Sequence, residues 1–293
     1  MVTTGKTPAG MEASRWHAYL NLGLVRSSRG TSLRTAEHKG PLYVQKAFYP
    51  EGKELAHVYL LHPPGGIVSG DELRIDVTSG ENAHTLLTTP GAGRVYRARP
   101  DRTLQKQTIN LVAKQGASLE WLPLETIVFP DAHTRLVTQI ELAEGASFIG
   151  WEVCCLGLPA SQETFDTGSV EQCFQVRKSG RIALRETMKI DDASRELFDC
   201  TAGFQQQPVN GVMVAGPYTD KEAAKAMLDE LRAICERATK PALAGVSLVD
   251  EFIVVRYLGA CSEEARKLFE QCWGVLRPAL LSRPACPPRI WAT

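Results

Sequence analysis

A strand–glycine–strand unit recurs along the first two-thirds of the chain and constrains its fold more than any other feature. Residues 73–77 alternate apolar and polar side chains, and the segment stops at Gly80. The same order returns around Gly116 and Gly145, each time with a more apolar segment after the glycine. Alternation with a period of two buries one face of a strand. Units spaced by roughly 30 residues can stack and bury their apolar faces on each other. The sequence therefore predicts a mainly β, layered or solenoid-like body of stacked hairpins.

The spacing of apolar residues changes from strand-like to helix-like after about residue 208. Residues 223–235 and 265–276 each carry an apolar stripe at helical spacing, which predicts two amphipathic helices. Thr219 and Glu222 form a T-x-x-E capping box at the start of the first helix. Between the two helices, residues 246–258 return to strand character. We expect a β-rich body over residues 1–208 and a small two-helix, β-containing lobe over residues 209–293, or one continuous domain.

The charge balance argues against a nucleic-acid-binding protein. Lys plus Arg and Asp plus Glu each number 33, so the formal net charge is zero and no basic excess is present. Residues 1–10 lack the apolar core of a leader peptide, and no segment approaches the ~20 apolar residues that span a bilayer. The eight cysteines show no C-x-x-C spacing. We expect a cytoplasmic protein with reduced thiols.

The densest cluster of prolines and glycines lies in residues 62–71. It contains two prolines, three glycines and two titratable residues, which are His62, Pro63, Pro64, Gly65, Gly66, Gly70 and Asp71. Proline fixes φ and glycine permits conformations closed to other residues, so the backbone here turns tightly or approaches another group closely. A structural corner and a binding loop both remain open, with His62 and Asp71 as candidates to point into one cavity.

A second glycine-rich segment follows at residues 88–97. Its candidate interface or passage residues are Thr88, Thr89, Pro90, Gly91, Tyr96 and Arg97. The segment lacks the G-x-x-x-x-G-K-[ST] string of a phosphate-binding loop, and the G-x-G-x-x-G dinucleotide spacing is also absent because Gly91 and Gly93 lead to Tyr96. Nucleotide hydrolysis by this chain is not expected.

A hydrolase is the alternative function from another class. The run from His62 to Gly66 resembles the oxyanion loop of esterases, which works with a nucleophilic serine in G-x-S-x-G. Around Ser69 the first glycine lies one place too far away. The sequence therefore disfavours this alternative, and no catalytic residue is assigned.

Four carboxylates lie within or beside apolar segments. They are Glu125, Asp131, Glu152 and Glu186, and the first three together with Asp71 of the 62–71 loop are the candidate passage carboxylates. Buried carboxylates are costly unless they are paired, ligated or hydrated. They are either solvated or paired on outward faces, or they line an aqueous passage that holds divalent ions weakly. The six histidines form no cluster, so no firm metal site is predicted.

Several strings together resemble the urease accessory protein D family, called UreD or UreH. The strings are residues 40–51, 62–71, 88–97, 121–127, 151–153 and 288–293. The resemblance spans nearly the whole chain, and the combination of HPPGG with TTPGA is specific.

The resemblance implies a β-rich, non-catalytic scaffold for nickel-site assembly. Proteins of this family bind accessory protein F directly, which brings in the GTPase accessory protein G, and the complex docks on apo-urease. The resemblance thus implies no tightly bound cofactor, only transient Ni²⁺ within a passage. Weak carboxylate sites would let nickel move, whereas a tight site would trap it. A generic β adaptor unrelated to nickel is the third interpretation.

Overall fold

The chain folds mainly as β-strands, as the sequence predicts. The computed structural model describes residues 15–237 and 242–292, and within them seventeen strands form two sheets accompanied by two α-helices. The prediction about a leader peptide in residues 1–10 lies outside the described residues.

The elements run in the following order. The strands are β1 (His17–Ser27), β2 (Gly30–Lys39), β3 (Ala47–Phe48), β4 (Leu55–Tyr59), β5 (Glu72–Ser79), β6 (His84–Thr88), β7 (Gly93–Val95), β8 (Gln105–Ala113), β9 (Ser118–Trp121), β10 (Thr126–Val128), β11 (His133–Leu142), β12 (Ser147–Leu156), β13 (Ser169–Lys178), β14 (Arg181–Ile190), β15 (Val209–Gly216), β16 (Leu243–Val249) and β17 (Phe252–Gly259). The helices are α1 (Lys221–Glu236) and α2 (Ser262–Leu281), with 3₁₀ turns at Pro159–Ser161, Arg195–Phe198 and Arg289–Ala292.

The strands make a first sheet of seven and a second sheet of ten. The spatial order is β14-β13-β11-β8-β5-β1-β2 in the first sheet and β16-β17-β15-β12-β9-β6-β4-β3 in the second, where β10 and β7 join beside β12. The inner strands of both sheets pair in parallel, because equivalent strands of successive units lie side by side.

Each predicted strand–glycine–strand unit turns a corner between the two sheets. Gly116 and Gly145 sit at these corners with φ of 64° and 67°, a region that favours glycine. The units stack, as in parallel β8 and β11, where Leu111 lies opposite Ile140. The layered, solenoid-like architecture is therefore confirmed, with one difference in pairing. The two strands of a unit pair with their equivalents in neighbouring units and not with each other, whereas true hairpins occur at β1–β2, β13–β14 and β16–β17.

Alternation along the inner strands sends side chains to two different cores. In β12, Phe148 and Cys154 face the first sheet, whereas Ile149 and Trp151 face the helices. The two-residue period of a strand produces this division. It also directs Glu152, which lies two residues before Cys154, into the space between the sheets.

The two helices pack together on the outer face of the second sheet. Leu231 of α1 and Phe269 of α2 are fully buried members of that outer core, as their apolar stripes predict. The α1 helix is capped by Asp220, whose carboxylate accepts the N–H groups of Glu222 and Ala223. The prediction of Thr219 as the capping residue was therefore wrong by one position.

Residues after 208 share a sheet with the body. Strand β15 lies between β12 and β17 and pairs antiparallel with both. The boundary between residues 1–208 and 209–293 stays a prediction. Among the described residues, neither helix has the length and apolar character to cross a bilayer.

Candidate functional site

A cavity of about 260 Å³ lies between the two sheets. Strands β5, β8, β11 and β13 of the first sheet form one wall, and β9 and β12 of the second sheet form the other. The glycine-rich segments 62–71 and 88–97 meet at one end of it, where His62, Gly65, Thr89, Pro90, Gly91 and Arg94 line the space. The structure thus brings the two predicted loops together at one cavity.

Glu152 is the carboxylate of this cavity. Its Oε1 accepts a short hydrogen bond of 2.5 Å from the Thr138 hydroxyl and a long one of 3.4 Å from the indole N–H of Trp121. Its Oε2 accepts a bond of 2.9 Å from the amide of Gln172. All three partners line the same cavity. Among the described residues, no cationic side chain pairs with Glu152.

The protonation of Glu152 follows from this setting. Burial raises the pKa of its carboxyl above the ordinary value, and the hydrogen bonds from Thr138, Gln172 and Trp121 offset that rise only in part. A carboxyl without a cationic partner in a low-dielectric interior favours its neutral form. Glu152 can therefore hold a proton, or exchange that proton for a cation that enters the cavity.

Gln172 separates this cavity from a second space. A groove of about 580 Å³ lies on the other side, between β14 of the first sheet and β15, β16 and β17 of the second. Gln172 lines both spaces. The side chain that donates to Glu152 is therefore in contact with both spaces.

His62 offers a nitrogen ligand near the loop end of the cavity. Burial lowers the pKa of its imidazole, and the nearby charge of Asp71 offsets this only in part. The ring is therefore neutral at pH 7 and can bind a metal ion through a free nitrogen. Ser69 is fully buried and its hydroxyl accepts a hydrogen bond of 2.7 Å from Arg99 N–H. In the described chain, no hydrogen bond joins Ser69 to His62, so the geometry does not support the serine hydrolase alternative.

The remaining loop residues shape the walls. The Thr88 hydroxyl donates to Leu122 O at 2.6 Å and accepts from the Trp291 indole at 2.8 Å. Tyr96 packs edge-on against Phe129, with 5.1 Å between ring centroids. Pro63 and Pro64 begin the turn in which Gly65 N–H donates to His62 O at 2.8 Å.

Gly66 is glycine because of its neighbour. A Cβ on Gly66 would lie 2.2 Å from the Tyr96 ring, which leaves no room for a side chain. This contact packs the first glycine-rich loop directly onto the second.

The other three candidate carboxylates lie elsewhere. Asp71 is 4% exposed and accepts the backbone N–H groups of Val68 in its own loop and of Trp16 just before β1. Asp131 is 43% exposed in its side chain and lies 3.5 Å from Arg97. Glu125 is half-buried next to Leu124 and Thr126, which line the cavity whereas Glu125 does not. Their proposed role in a passage stays a prediction, and Glu152 is the one of the four that lines the cavity.

Two polar partners of Glu152, Thr138 and Gln172, were not predicted from the sequence, and neither was Gln107 in the cavity wall. Gln107, Thr138 and Gln172 occupy inward positions of β8, β11 and β13, where alternation otherwise places apolar residues. Polar residues on the inward side of successive strands were the available signal. Among the described residues, no group of three or more His, Cys, Asp or Glu side chains could hold a metal ion.

A second buried polar cluster lies apart from the cavity. The guanidinium of Arg277 on α2 is fully buried and bonds both Glu51 at 2.8 Å and Glu120 at 3.0 Å. His57 Nε2 lies 2.8 Å from Glu51, and His84 Nε2 lies 3.1 Å from Glu120. This cluster was also not predicted from the sequence, although an arginine four residues after Trp273 on an apolar helical stripe was a signal. The cluster ties α2 to the β body.

Acid should weaken this cluster. Burial alone would raise the pKa of Glu51, but hydrogen bonds from His57 and Arg277 outweigh it and hold the pKa at about 2, below the ordinary 4.5. The stability that Glu51 contributes is therefore complete above pH 4.5 and is lost as pH falls toward about 2. We expect a Glu51→Gln variant to lose less stability than the wild type over this interval, measured by urea unfolding at several pH values. Parallel curves for the two proteins would contradict this assignment.

Two stacked sheets, a cavity between them that contains one buried carboxyl, and a helical layer outside define a mainly β protein with an internal cavity. A family model described as UreD urease accessory protein matches residues 17–292. Among similar proteins, the urease accessory protein UreD of Marinomonas sp. (strain MWYL1) is 53% identical over 286 residues, which cover 96% of this chain and 91% of the relative. That of Dechloromonas aromatica (strain RCB) is 41% identical over 278 residues, which cover 95% of each chain. The chain belongs to the UreD family of urease accessory proteins.

Proposed function

We propose that this chain is a non-catalytic scaffold of urease maturation that carries Ni²⁺ through its interior toward apo-urease. It acts within a complex that contains accessory protein F and the GTPase accessory protein G, and GTP hydrolysis by the partner drives the transfer. Nickel is the cargo and not a resident cofactor. Membership of the UreD family supports the role in urease maturation, and the cavity supports the movement of Ni²⁺ through the interior of the chain.

The observation that carries this proposal is a buried carboxyl without a cationic partner, in a cavity between two glycine-rich loops and a second groove. A single carboxylate with hydroxyl and amide neighbours offers hard oxygen ligands. These bind divalent cations such as Ni²⁺ more weakly than thiolates do. His62 adds one neutral nitrogen near the loop end. A site with so few ligands releases Ni²⁺ quickly, and transfer of the ion to apo-urease requires such release.

Omission of this chain should leave urease without nickel. Urease subunits expressed with the F and G proteins, with and without this chain, are to be compared for nickel per active site by mass spectrometry and for urea hydrolysis. We expect loss of most of the nickel and of the activity when this chain is missing. Equal nickel content in the two preparations would refute the proposed function. Ester hydrolysis by the purified chain that is lost in a His62→Ala variant would instead favour the hydrolase.

A further inference from the structure

The cavity between the sheets has apolar walls around a single carboxylate. Glu152 is the one Asp or Glu residue among the described residues that line it. Apolar side chains of both sheets lie beside it, which are Leu73, Ile75, Ile109, Leu136 and Trp121. An apolar cavity of ~150 Å³ in another protein binds benzene. The volume of about 260 Å³ therefore holds a small organic ligand, and the walls match its hydrocarbon part.

One acceptor position of Glu152 remains open. A carboxylate has about four positions at which it accepts hydrogen bonds, two on each oxygen. Thr138 and Trp121 both donate to Oε1, whereas only Gln172 donates to Oε2. Oε1 is therefore filled, and Oε2 can accept one more donor. No described residue supplies that donor or a cation to balance the charge.

Two glutamine side chains add neutral acceptors to the same cavity. Gln172 uses its N–H₂ group to donate to Glu152, so its side-chain oxygen is left to accept. Gln107 also lines the cavity, and its side-chain amide has no hydrogen-bond partner among the described residues.

The register of the first sheet brings these two glutamines together. Leu136 of β11 pairs with Gln107 on one side and with Gln172 on the other. Their backbones are therefore about 10 Å apart at the usual strand spacing, and both side chains leave the same face of the sheet. Both amide oxygens can thus reach a group that lies above Leu136, opposite Glu152.

We propose that this cavity binds small primary alkylammonium ions. The ammonium group has three N–H donors, which bond Glu152 Oε2 and the amide oxygens of Gln107 and Gln172. The alkyl chain lies against the leucine and isoleucine side chains of the wall. Binding of the amine follows from the cavity alone, whereas its consequence for nickel rests on the proposed function. An alkylammonium ion and Ni²⁺ use the same carboxylate, so the amine inhibits delivery of the metal.

The open position of Glu152 also decides which organic cations fit. A guanidinium group binds a carboxylate best through two parallel hydrogen bonds, one to each oxygen. Oε1 of Glu152 already accepts two donors, so this arrangement is closed. A quaternary ammonium ion has no N–H donor for the three oxygens. A diamine would place its second charge in a cavity without a second carboxylate, where Arg94 at the loop end repels it.

Calorimetric titration of the purified full chain with n-butylammonium chloride tests the site. We expect a dissociation constant of about 1 mM or tighter for this ion of five non-hydrogen atoms. Affinity should rise about fourfold for each methylene from ethylammonium to butylammonium, because each buried methylene contributes that factor. Three compounds tested alongside should bind about tenfold more weakly or not at all, because each lacks the single charged N–H₃ group on an alkyl chain. They are 1-butanol, tetramethylammonium and 1,4-diaminobutane.

Two variants test the site with little change in its volume. Glu152→Gln removes the charge and should weaken butylammonium binding by about tenfold or more, as expected for hydrogen bonds to a charged group. Gln107→Leu removes only an unpaired amide, so the fold is kept, and binding should weaken by about threefold to tenfold. Glu171→Gln is the matched control, because Glu171 lies on β13 outside the cavity with 39% of its side chain exposed. It should bind as the wild type does, and circular dichroism checks that each variant is folded.

Competition with nickel is measured in a separate experiment. Urease subunits are combined with the F and G proteins, this chain and limiting nickel, with butylammonium or 1-butanol added. We expect butylammonium, but not 1-butanol, to lower the nickel content of urease in proportion to its occupancy of the cavity. Nickel content is the readout because an amine can also act directly on urease activity.

Two results would overturn the inference. The first is absence of butylammonium binding at about ten times the expected dissociation constant. The second is equal affinity of the wild type and a folded Glu152→Gln variant, or of butylammonium and 1-butanol, which would leave the carboxylate without a role. Failure of the proposed function gives a different pattern. Butylammonium then binds the wild-type chain and not Glu152→Gln, but the nickel content of urease stays unchanged.

Discussion

Replacement of Arg277 by methionine is expected to lower the free energy of unfolding by about 3–5 kcal/mol, because it leaves two buried carboxylates without their shared cation. The side chains of Glu120 and Glu51 are 0% and 9% exposed, so water cannot readily replace the guanidinium. Trp273 also donates to Glu120 at 2.8 Å, but one neutral N–H does not balance a charge. Urea unfolding followed by circular dichroism at neutral pH measures the effect.

Two further variants separate the buried charge from helix packing. Lys267→Met is the control on the same helix: Lys267 pairs with Glu263 at 2.7 Å, but both side chains are about 60% exposed, so no measurable loss is expected. Addition of Glu120→Gln to Arg277→Met should recover part of the stability, because one uncompensated charge is removed. A loss as small for Arg277→Met as for Lys267→Met would contradict the role assigned to the cluster.

The stacked architecture was readable from the sequence, but its pairing was not. Alternating residues before Gly116 and Gly145 identify strands with one buried face, whichever strands they pair with. Apolar and polar residues alternate with a period of two both in the strands of a hairpin and in strands that meet at a corner between sheets. Pairing depends on contacts between units some 30 residues apart, which local patterns do not encode. The hairpin through Ser179 and Gly180 was found because its turn is local.

The candidate site shows the same limit. Asp71, Glu125, Asp131 and Glu152 look alike in sequence, since each lies in or beside an apolar segment. Only the register of β12 decides that Glu152 faces the cavity, whereas Asp131 lies in a tight turn with φ of 62°. The Arg277 cluster joins residues 157 and 226 positions apart, so its partners were beyond sequence reasoning. The apolar stripe of α2 indicates that this arginine is buried, but the carboxylates that pair with it are brought there by the fold.

Replacement of Glu152 by glutamine should reduce nickel delivery while leaving the chain folded. Glutamine keeps the volume and an acceptor oxygen for Thr138 and Trp121, and Gln172 can rotate its amide to accept from the new N–H₂ group. Only the ionisable group is lost. We expect the nickel content per urease active site to fall by about tenfold or more when nickel is limiting. Loss of a group that supports a metal site commonly lowers metal affinity or activity by at least that factor. Mass spectrometry of purified urease measures the nickel.

Glu171→Gln is the matched control. Glu171 precedes Gln172 on β13 but points outward, with 39% of its side chain exposed and Arg135 at 3.4 Å. Its loss should leave nickel delivery unchanged. Glu152→Asp keeps a carboxyl on a shorter side chain and should retain more nickel delivery than Glu152→Gln. Wild-type loading in the Glu152→Gln variant at limiting nickel would remove this residue from the pathway.

The pH dependence of the folding stability distinguishes a buried carboxyl that serves function from one that stabilises the fold. Because burial raises the pKa of Glu152, the folded chain retains this proton more strongly than the unfolded chain, and stability declines as pH rises above the ordinary value of 4.5. Glu152→Gln removes that decline, so the variant should match or exceed the wild type in urea unfolding at about pH 8. A structural carboxyl such as Glu120, paired with Arg277, should behave in the opposite way, since its lowered pKa makes the charged form stabilising. A variant that gains stability and loses nickel delivery is the combination expected when a buried carboxyl is retained for its cargo.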